Sequence, residues 1–113
     1  MVENIIKQIN DSIELKNKVM NDETIIQQIQ DLAEDCIESL KKEGKIILAG
    51  NGGSFADAQH ISAEFTSRYM FDRDSLPSIC LGTNGSAISA IGNDYGYEKV
   101  FSRELSSIGN KED

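Results

Sequence analysis

A short apolar run that leads directly into a glycine-rich turn constrains the fold more than any other feature of the chain. Residues Lys45–Gly50 are continuously apolar after the first lysine, and Asn51–Gly53 follow at once. Such a run is typical of a strand buried on both faces of a parallel sheet. Ser54 and Asp57 then predict a capping-box start for a helix that reaches about Tyr69. The segment therefore predicts a strand, a tight turn and a helix in succession.

The rest of the chain continues this alternation. Residues 77–81 form a second short apolar run behind the only proline, and helices are predicted over about 86–92 and 98–107. Alternating helices and strands are typical of an α/β domain with parallel strands. A parallel sheet of two strands leaves most of its apolar surface uncovered. We therefore expect the chain to be the front part of a larger domain, truncated after about two strands.

Two amphipathic helices are predicted ahead of the first strand. Residues 2–20 place apolar side chains at the 3.6-residue period of a helix. A second helix begins near Glu23 and ends before Gly44. Its apolar face is so wide that we expect it to be covered on more than one side. The sequence thus predicts a helical pair over 1–43, serving as an oligomer contact, and the first part of an α/β domain over 44–113.

Composition excludes several classes of function. Eleven basic residues against 19 acidic ones give a net charge of −8, which argues against broad nucleic-acid binding through phosphate neutralisation. No apolar run approaches the roughly 18 residues that cross a bilayer, and no membrane partner is expected. The N-terminus lacks the pattern of a signal peptide, so the expected location is cytoplasmic. Cys36 and Cys80 are far apart and predict buried thiols of a reducing compartment.

The glycine turn is the first candidate site. Glycines let the backbone approach a ligand closely, and the start of the following helix offers N–H groups to an anion. The sequence Gly50–Ser54 matches neither the dinucleotide-binding nor the Walker pattern, so no nucleotide is implied. The alternative is an ordinary strand–helix turn that needs a positive φ.

His60 and Glu64 form the second candidate site. Their i,i+4 spacing places both side chains on one face of the predicted helix, and His60 is the only histidine. An imidazole and a carboxylate suit Zn²⁺ or a similar divalent ion, although two ligands are fewer than the usual four. The alternative is a simple surface pair.

Asn93 and Asp94 form the third candidate site. Adjacent amide and carboxylate groups can bind vicinal hydroxyls, the one donating and the other accepting hydrogen bonds. The alternative is that the two residues end one helix and cap the next.

Three sequence blocks together resemble a known family. They are GNGGSFADAQHISAEFTSRY, SLPSICL and AIGNDYGYEKVFSREL, preceded by the two helices. The likeness to the bacterial phosphoheptose isomerases, a branch of the sugar isomerase (SIS) domain proteins, covers essentially the whole chain. It implies a doubly wound, flavodoxin-like α/β sandwich that assembles as a homotetramer. It also implies the interconversion of sedoheptulose 7-phosphate and D-glycero-D-manno-heptose 7-phosphate through an enediolate, which supplies heptose for lipopolysaccharide or capsule.

The resemblance also assigns roles to individual residues. His60 and Glu64 match two zinc ligands, and Glu64 matches the catalytic carboxylate that moves a proton between C1 and C2 of the sugar. The residues that match substrate contacts are Asn51, Gly52, Gly53, Ser54, Glu64, Asn93 and Asp94.

The family pattern continues past Asp113 with a Ser/Thr-rich phosphate loop and a late helix bearing a Gln and a His. We therefore expect the remaining zinc ligands outside this sequence and doubt unaided turnover by the 113 residues. The alternative function is a non-catalytic SIS-domain binding protein of the replication initiator-associating type. In that protein the position of Glu64 is not acidic, so Glu64 favours the enzyme.

Overall fold

The computed structural model describes residues 1–113 and contains five α-helices and two strands. In chain order these are α1 (Val2–Met20), α2 (Glu23–Lys41), β1 (Ile46–Leu48), α3 (Gly53–Thr66), β2 (Ser78–Cys80), α4 (Gly85–Tyr95) and α5 (Val100–Ile108), with a 3₁₀ turn at Tyr97–Lys99 before α5. The chain divides into two compact units, Met1–Asp35 and Cys36–Asp113. None of the helices combines the length and the apolar character that a membrane span requires.

The two strands pair in parallel and confirm the predicted α/β class. Ile47 lies opposite Ile79 in the register, and α3 contacts both strands. The prediction that the first strand is buried on both faces is wrong, because all three residues of β1 are only half-buried. A strand of a two-stranded sheet has one neighbour, and within this chain α3 is the only helix with substantial contacts to the sheet.

The core of the second unit is small. Its buried apolar residues are Ala58, Cys80, Leu81 and Val100. Ser62 of α3 is also buried, and the Ser78 Oγ lies 3.0 Å from the Ser62 Oγ. This hydrogen bond satisfies both hydroxyl groups between the helix and the strand, which avoids the cost of burying them unpaired.

The two leading helices follow the predicted bounds but bury none of their residues. The predicted cover of α2 on more than one side does not come from within the chain: Ile29 and Leu32 remain 55% and 64% exposed. Periodicity predicts which side chains share a helix face, whereas burial depends on a second surface that the period does not specify. Cys36, also on α2, is half-buried rather than buried, and both cysteines are free thiols.

Helix ends depart from the prediction at three places. Helix α3 ends at Thr66 instead of Tyr69, since Ser67 leaves helical geometry and Met70 has a φ of 63°. The capping box of Ser54 and Asp57 is wrong: the N-cap is Gly52, and no side chain caps the helix. Helix α4 is longer than predicted, because the Asn84 side chain accepts a hydrogen bond from the Ala87 N–H and the helix continues to Tyr95.

Candidate functional site

His60 and Glu64 lie side by side on α3, as their spacing predicts. The His60 Nε2 is 3.2 Å from the Glu64 Oε1, and the His60 side chain is 76% exposed whereas that of Glu64 is 34% exposed. Both line a cavity of about 470 Å³. The pair therefore offers an imidazole nitrogen and a carboxylate oxygen to whatever occupies this cavity.

The walls of this cavity are mostly apolar and aromatic. The other lining residues are Ile61, Phe65, Tyr69, Phe71 and Arg73. Tyr69 and Phe71 belong to a tight turn closed by a bridge between them, which places two aromatic rings beside the end of α3. A concave apolar surface with a few converging polar groups is the usual form of a small-molecule site.

The donor set for a metal ion is incomplete within the chain. No third His, Cys, Asp or Glu joins His60 and Glu64 in a cluster. The two groups present are of the types that zinc takes, and they are close enough to share one ion. The geometry thus fits half of a metal site.

The glycine turn adopts the conformation that its sequence predicts. Gly52 has a φ of 58°, a value at which a side chain would be strained. Two of the N–H groups at this helix start are already used: Ser54 donates to the Asn51 carbonyl at 3.1 Å, and Phe55 donates to the Gly52 carbonyl at 3.1 Å, whereas the Gly53 N–H has no acceptor within the chain. Gly52, Gly53 and Ser54 do not line the cavity of His60 and Glu64.

Asn51 lies in a separate, smaller cavity. It lines a space of about 180 Å³ together with Gly82, Tyr97 and Phe101. The Tyr97 hydroxyl donates a hydrogen bond to the Asn51 Oδ1. Sequence reasoning missed Tyr97, since the two residues are 46 positions apart and no local pattern connects them.

The loop after β2 borders the same small cavity and is fixed by a second missed residue. The Gly82 N–H donates to the Glu104 Oε2 at 2.7 Å, and Gly82 has a φ of 88°. Burial and the nearby Glu104 carboxylate raise the pKa of the Cys80 thiol, which stays protonated at neutral pH. Glu104 therefore holds the end of β2, and Cys80 is an inert core thiol.

Asn93 and Asp94 occupy the last turn of α4 and line a third cavity, of about 570 Å³, formed with serines of the same helix. The Asn93 Nδ2 donates to the Asp94 Oδ1 at 2.8 Å. The predicted alternative that these residues stop one helix and cap the next is wrong, because α4 runs through both and ends at Gly96, whose φ is 92°. The structure does not bring them to the cavity of His60 and Glu64.

Sequence comparison relates the chain to known proteins. The sequence model of the SIS domain matches residues 6–113. A phosphoheptose isomerase of Burkholderia pseudomallei (strain 1710b) is 54% identical over 95 residues, which are 84% of this chain and 48% of that protein. A phosphoheptose isomerase of Sulfurimonas denitrificans is 49% identical over 107 residues, 95% of this chain and 55% of that protein. The chain thus spans about half the length of the curated relatives it matches.

Solved structures agree with the sequence matches. Phosphoheptose isomerase GmhA from Neisseria gonorrhoeae superposes with a TM-score of 0.85 at 37% identity, covering 98% of this chain and 56% of that one. A phosphoheptose isomerase from Francisella tularensis superposes with a TM-score of 0.87 at 28% identity, covering 96% of this chain and 56% of that one. Because the SIS sequence model matches residues 6–113, nearly all of this chain, the chain belongs to the SIS domain family.

Proposed function

We propose that the protein is a phosphoheptose isomerase that interconverts sedoheptulose 7-phosphate and D-glycero-D-manno-heptose 7-phosphate. One observation carries the proposal: the Glu64 carboxylate lies 3.2 Å from the His60 imidazole at the edge of an apolar cavity. Ketose–aldose isomerisation needs a base that removes a proton from one carbon and returns it to the next. The relatives named phosphoheptose isomerase supply the substrate class.

In this proposal Glu64 moves the proton between C1 and C2 of the sugar. It accepts the proton from C1 of the ketose, which leaves an enediolate, and donates it to C2, while the hydroxyl proton passes from the C1 oxygen to the C2 oxygen, so that C1 becomes the aldehyde and C2 the alcohol. Asn51, Asn93 and Asp94 offer amide and carboxylate groups to the sugar hydroxyls, in regions that the described chain keeps in separate cavities.

We also propose a zinc ion at His60 and Glu64, with further ligands from outside the described residues. When bound there, the ion polarises the substrate carbonyl as a Lewis acid. The support is the chemistry of the two donors, an imidazole nitrogen and a carboxylate oxygen within reach of one ion. Metal analysis of the purified full-length protein, compared with its His60→Ala variant, tests this assignment.

The proposal extends to assembly and location. We propose a homotetramer formed through α1 and α2, because their apolar residues are exposed: Ile5, Ile9 and Ile13 of α1 are each more than half exposed. The sedimenting mass of the full-length protein tests this state. A cytoplasmic location, with the heptose passing to lipopolysaccharide or capsule, is consistent with two free thiols.

The Glu64→Gln variant of the full-length protein tests the central claim. We expect it to bind the heptose phosphate while losing at least about a hundredfold in the exchange of the C1 proton with deuterated solvent, since a general base contributes roughly 10²–10⁴ in rate. Proton magnetic resonance of the sugar measures the exchange. Glu34→Gln, which changes an exposed carboxylate on α2, is the matched control and keeps the wild-type rate. Unchanged exchange in Glu64→Gln would contradict the role of Glu64.

A further inference from the structure

The last turn of α3 is held by an arginine from outside the helix. Arg73 donates from Nη2 to the Glu64 carbonyl at 2.7 Å, and from Nη1 to the Phe65 carbonyl at 2.9 Å. The same Nη1 also lies 2.8 Å from the Asp74 carbonyl. The last four carbonyls of an α-helix have no partner within the helix, and a cation there is also favoured by the helix dipole.

The neighbouring carbonyls of this turn have other donors. The Ser67 N–H donates to Ala63, the Thr66 hydroxyl donates to Ser62, and the Leu76 N–H joins Arg73 at Phe65. The Glu64 carbonyl has Arg73 as its only donor. The Glu64 carbonyl therefore depends on a side chain from outside the helix, and Glu64 is the residue that carries the candidate base.

We propose that Arg73 is a positioning residue for Glu64, an inference that rests on the proposed isomerase function. By fixing the Glu64 peptide, the guanidinium fixes the direction in which the side chain leaves the helix. The carboxylate is then held 3.2 Å from His60 at the edge of the cavity that Arg73 also lines.

Arg73 performs this role through the backbone. No ion pair within 4.0 Å joins the guanidinium to the Glu64 carboxylate, whose near neighbour is His60. A direct pair would neutralise the carboxylate and make it a poorer base. Two carbonyls on successive residues suit the rigid fork of a guanidinium, whereas a lysine ammonium offers a single centre on a flexible stem.

The first test uses the 113-residue chain, in which His60 is the only histidine and gives the only imidazole signals. The Glu64 Oε1 lies 3.2 Å from the His60 Nε2, so the negative charge of the carboxylate favours a proton on that nitrogen, and the imidazole nitrogen chemical shifts report which nitrogen carries it. At a fixed pH above neutrality, we expect Arg73→Met to move these shifts toward those of Glu64→Ala. Arg103→Met, which removes an exposed arginine lying 3.8 Å over the Tyr95 ring, is the control and leaves them at the wild-type positions.

The second test uses the full-length protein. We expect Arg73→Met to lower kcat about tenfold or more with little change in KM, because a misplaced catalytic group can cost on the order of a hundredfold. Arg73→Lys falls between the wild type and Arg73→Met. In a Glu64→Gln background the Arg73→Met change has no further effect on the residual rate.

The outcomes separate the possibilities. Imidazole shifts and kcat that stay at the wild-type values in Arg73→Met, with only a lower Tm, would overturn the proposal and leave Arg73 as a helix cap. Independent, multiplicative losses in the double variant would also overturn it. If Arg73→Met does not fold, the same comparisons are made on Arg73→Lys, where unchanged shifts count against the role. A wild-type protein without isomerase activity contradicts the proposed function, while the imidazole comparison still decides whether Arg73 positions Glu64.

Discussion

The end of α3 and the loops that follow the two strands both carry candidate site residues, but they are assembled by different kinds of contact. On α3, His60 and Glu64 meet because one helix places them four residues apart. In the loops, Asn51 meets Tyr97 across 46 positions and Gly82 meets Glu104 across 22. The helix needs only its own sequence to bring its pair together, whereas the loops depend on the tertiary fold. Changes that disturb packing should therefore affect the loop region first.

The largest effect on stability is expected from Gly50→Ala. A Cβ at Gly50 would meet the backbone carbonyl of Ser54 and lie 2.8 Å from the Phe55 nitrogen, both in the first turn of α3. Backbone atoms cannot move aside as the end of a flexible side chain can, so we expect a loss of about 3 kcal/mol in the free energy of unfolding. Urea denaturation followed by circular dichroism measures this loss.

Gly53→Ala is the matched control for that variant. Nothing lies within 4 Å of a Cβ at Gly53, and its φ is not positive. Alanine inside the first turn of a helix is favoured over glycine by roughly 0.5–1 kcal/mol, so stability should be unchanged or slightly higher. Equal stability of the two variants would show that the turn does not pack on α3 as closely as described.

This contrast also explains how much the sequence predicts. The helix periods predict the bounds of α1 and the start of α2, and the i,i+4 rule predicts the His60–Glu64 pair. The positive φ of Gly52 follows from its place between a strand and a helix. Tyr97, Glu104 and Arg73 have no such signal, because each meets its partner through the packing of separate elements. Local rules thus predict helices and residue pairs within one helix, and they miss the side-chain contacts between separate elements.

A pH-dependent effect on stability is expected at another contact between residues far apart in the sequence. Lys45, just before β1, donates from Nζ to Asp113 at 2.6 Å and also donates its backbone N–H to the same carboxylate. The side-chain hydrogen bond from Lys45 is the main cause that lowers the pKa of Asp113 below its ordinary value of 3.8. A folded-state pKa below the unfolded one adds stability that is fully present above the unfolded value and is lost as the pH falls through the folded value.

The Asp113→Asn variant measures this contribution. We expect its Tm to be lower than that of the wild type at neutral pH, and the difference to shrink as the pH falls below about 4. Glu112→Gln is the control, because the Lys111–Glu112 pair at 3.8 Å is exposed on the lysine side and exposed pairs contribute little. A Tm difference for Asp113→Asn that stays constant from neutral to acidic pH would exclude the ion pair as its source.

The smallest effect on stability is expected from Tyr97→Phe, which deletes only the hydroxyl that donates to the Asn51 Oδ1. A hydrogen bond contributes about 0.5–1.5 kcal/mol net, and both residues are exposed, so the change should lie at the lower end.

The effect of Tyr97→Phe on ligand binding is more informative. In the wild type the Asn51 oxygen accepts the hydrogen bond from Tyr97, so the amide N–H groups of Asn51 face a ligand. In Tyr97→Phe the Asn51 side chain is free to rotate, and a substrate oxygen that accepts from these N–H groups loses its donor. We therefore expect a KM several times higher for Tyr97→Phe in the full-length protein.

A double-variant cycle decides whether that rise in KM passes through Asn51. In an Asn51→Ala background the Tyr97→Phe change should have no further effect on KM, since the group that the hydroxyl orients is gone. Tyr95→Phe removes the hydroxyl of a nearby tyrosine whose ring lies under Arg103, and it should leave KM unchanged in both backgrounds. A rise in KM that persists without Asn51 would mean that Tyr97 contacts the ligand itself. In that case the loop region would resemble α3, where the side chains that line a cavity are themselves the candidate chemical groups.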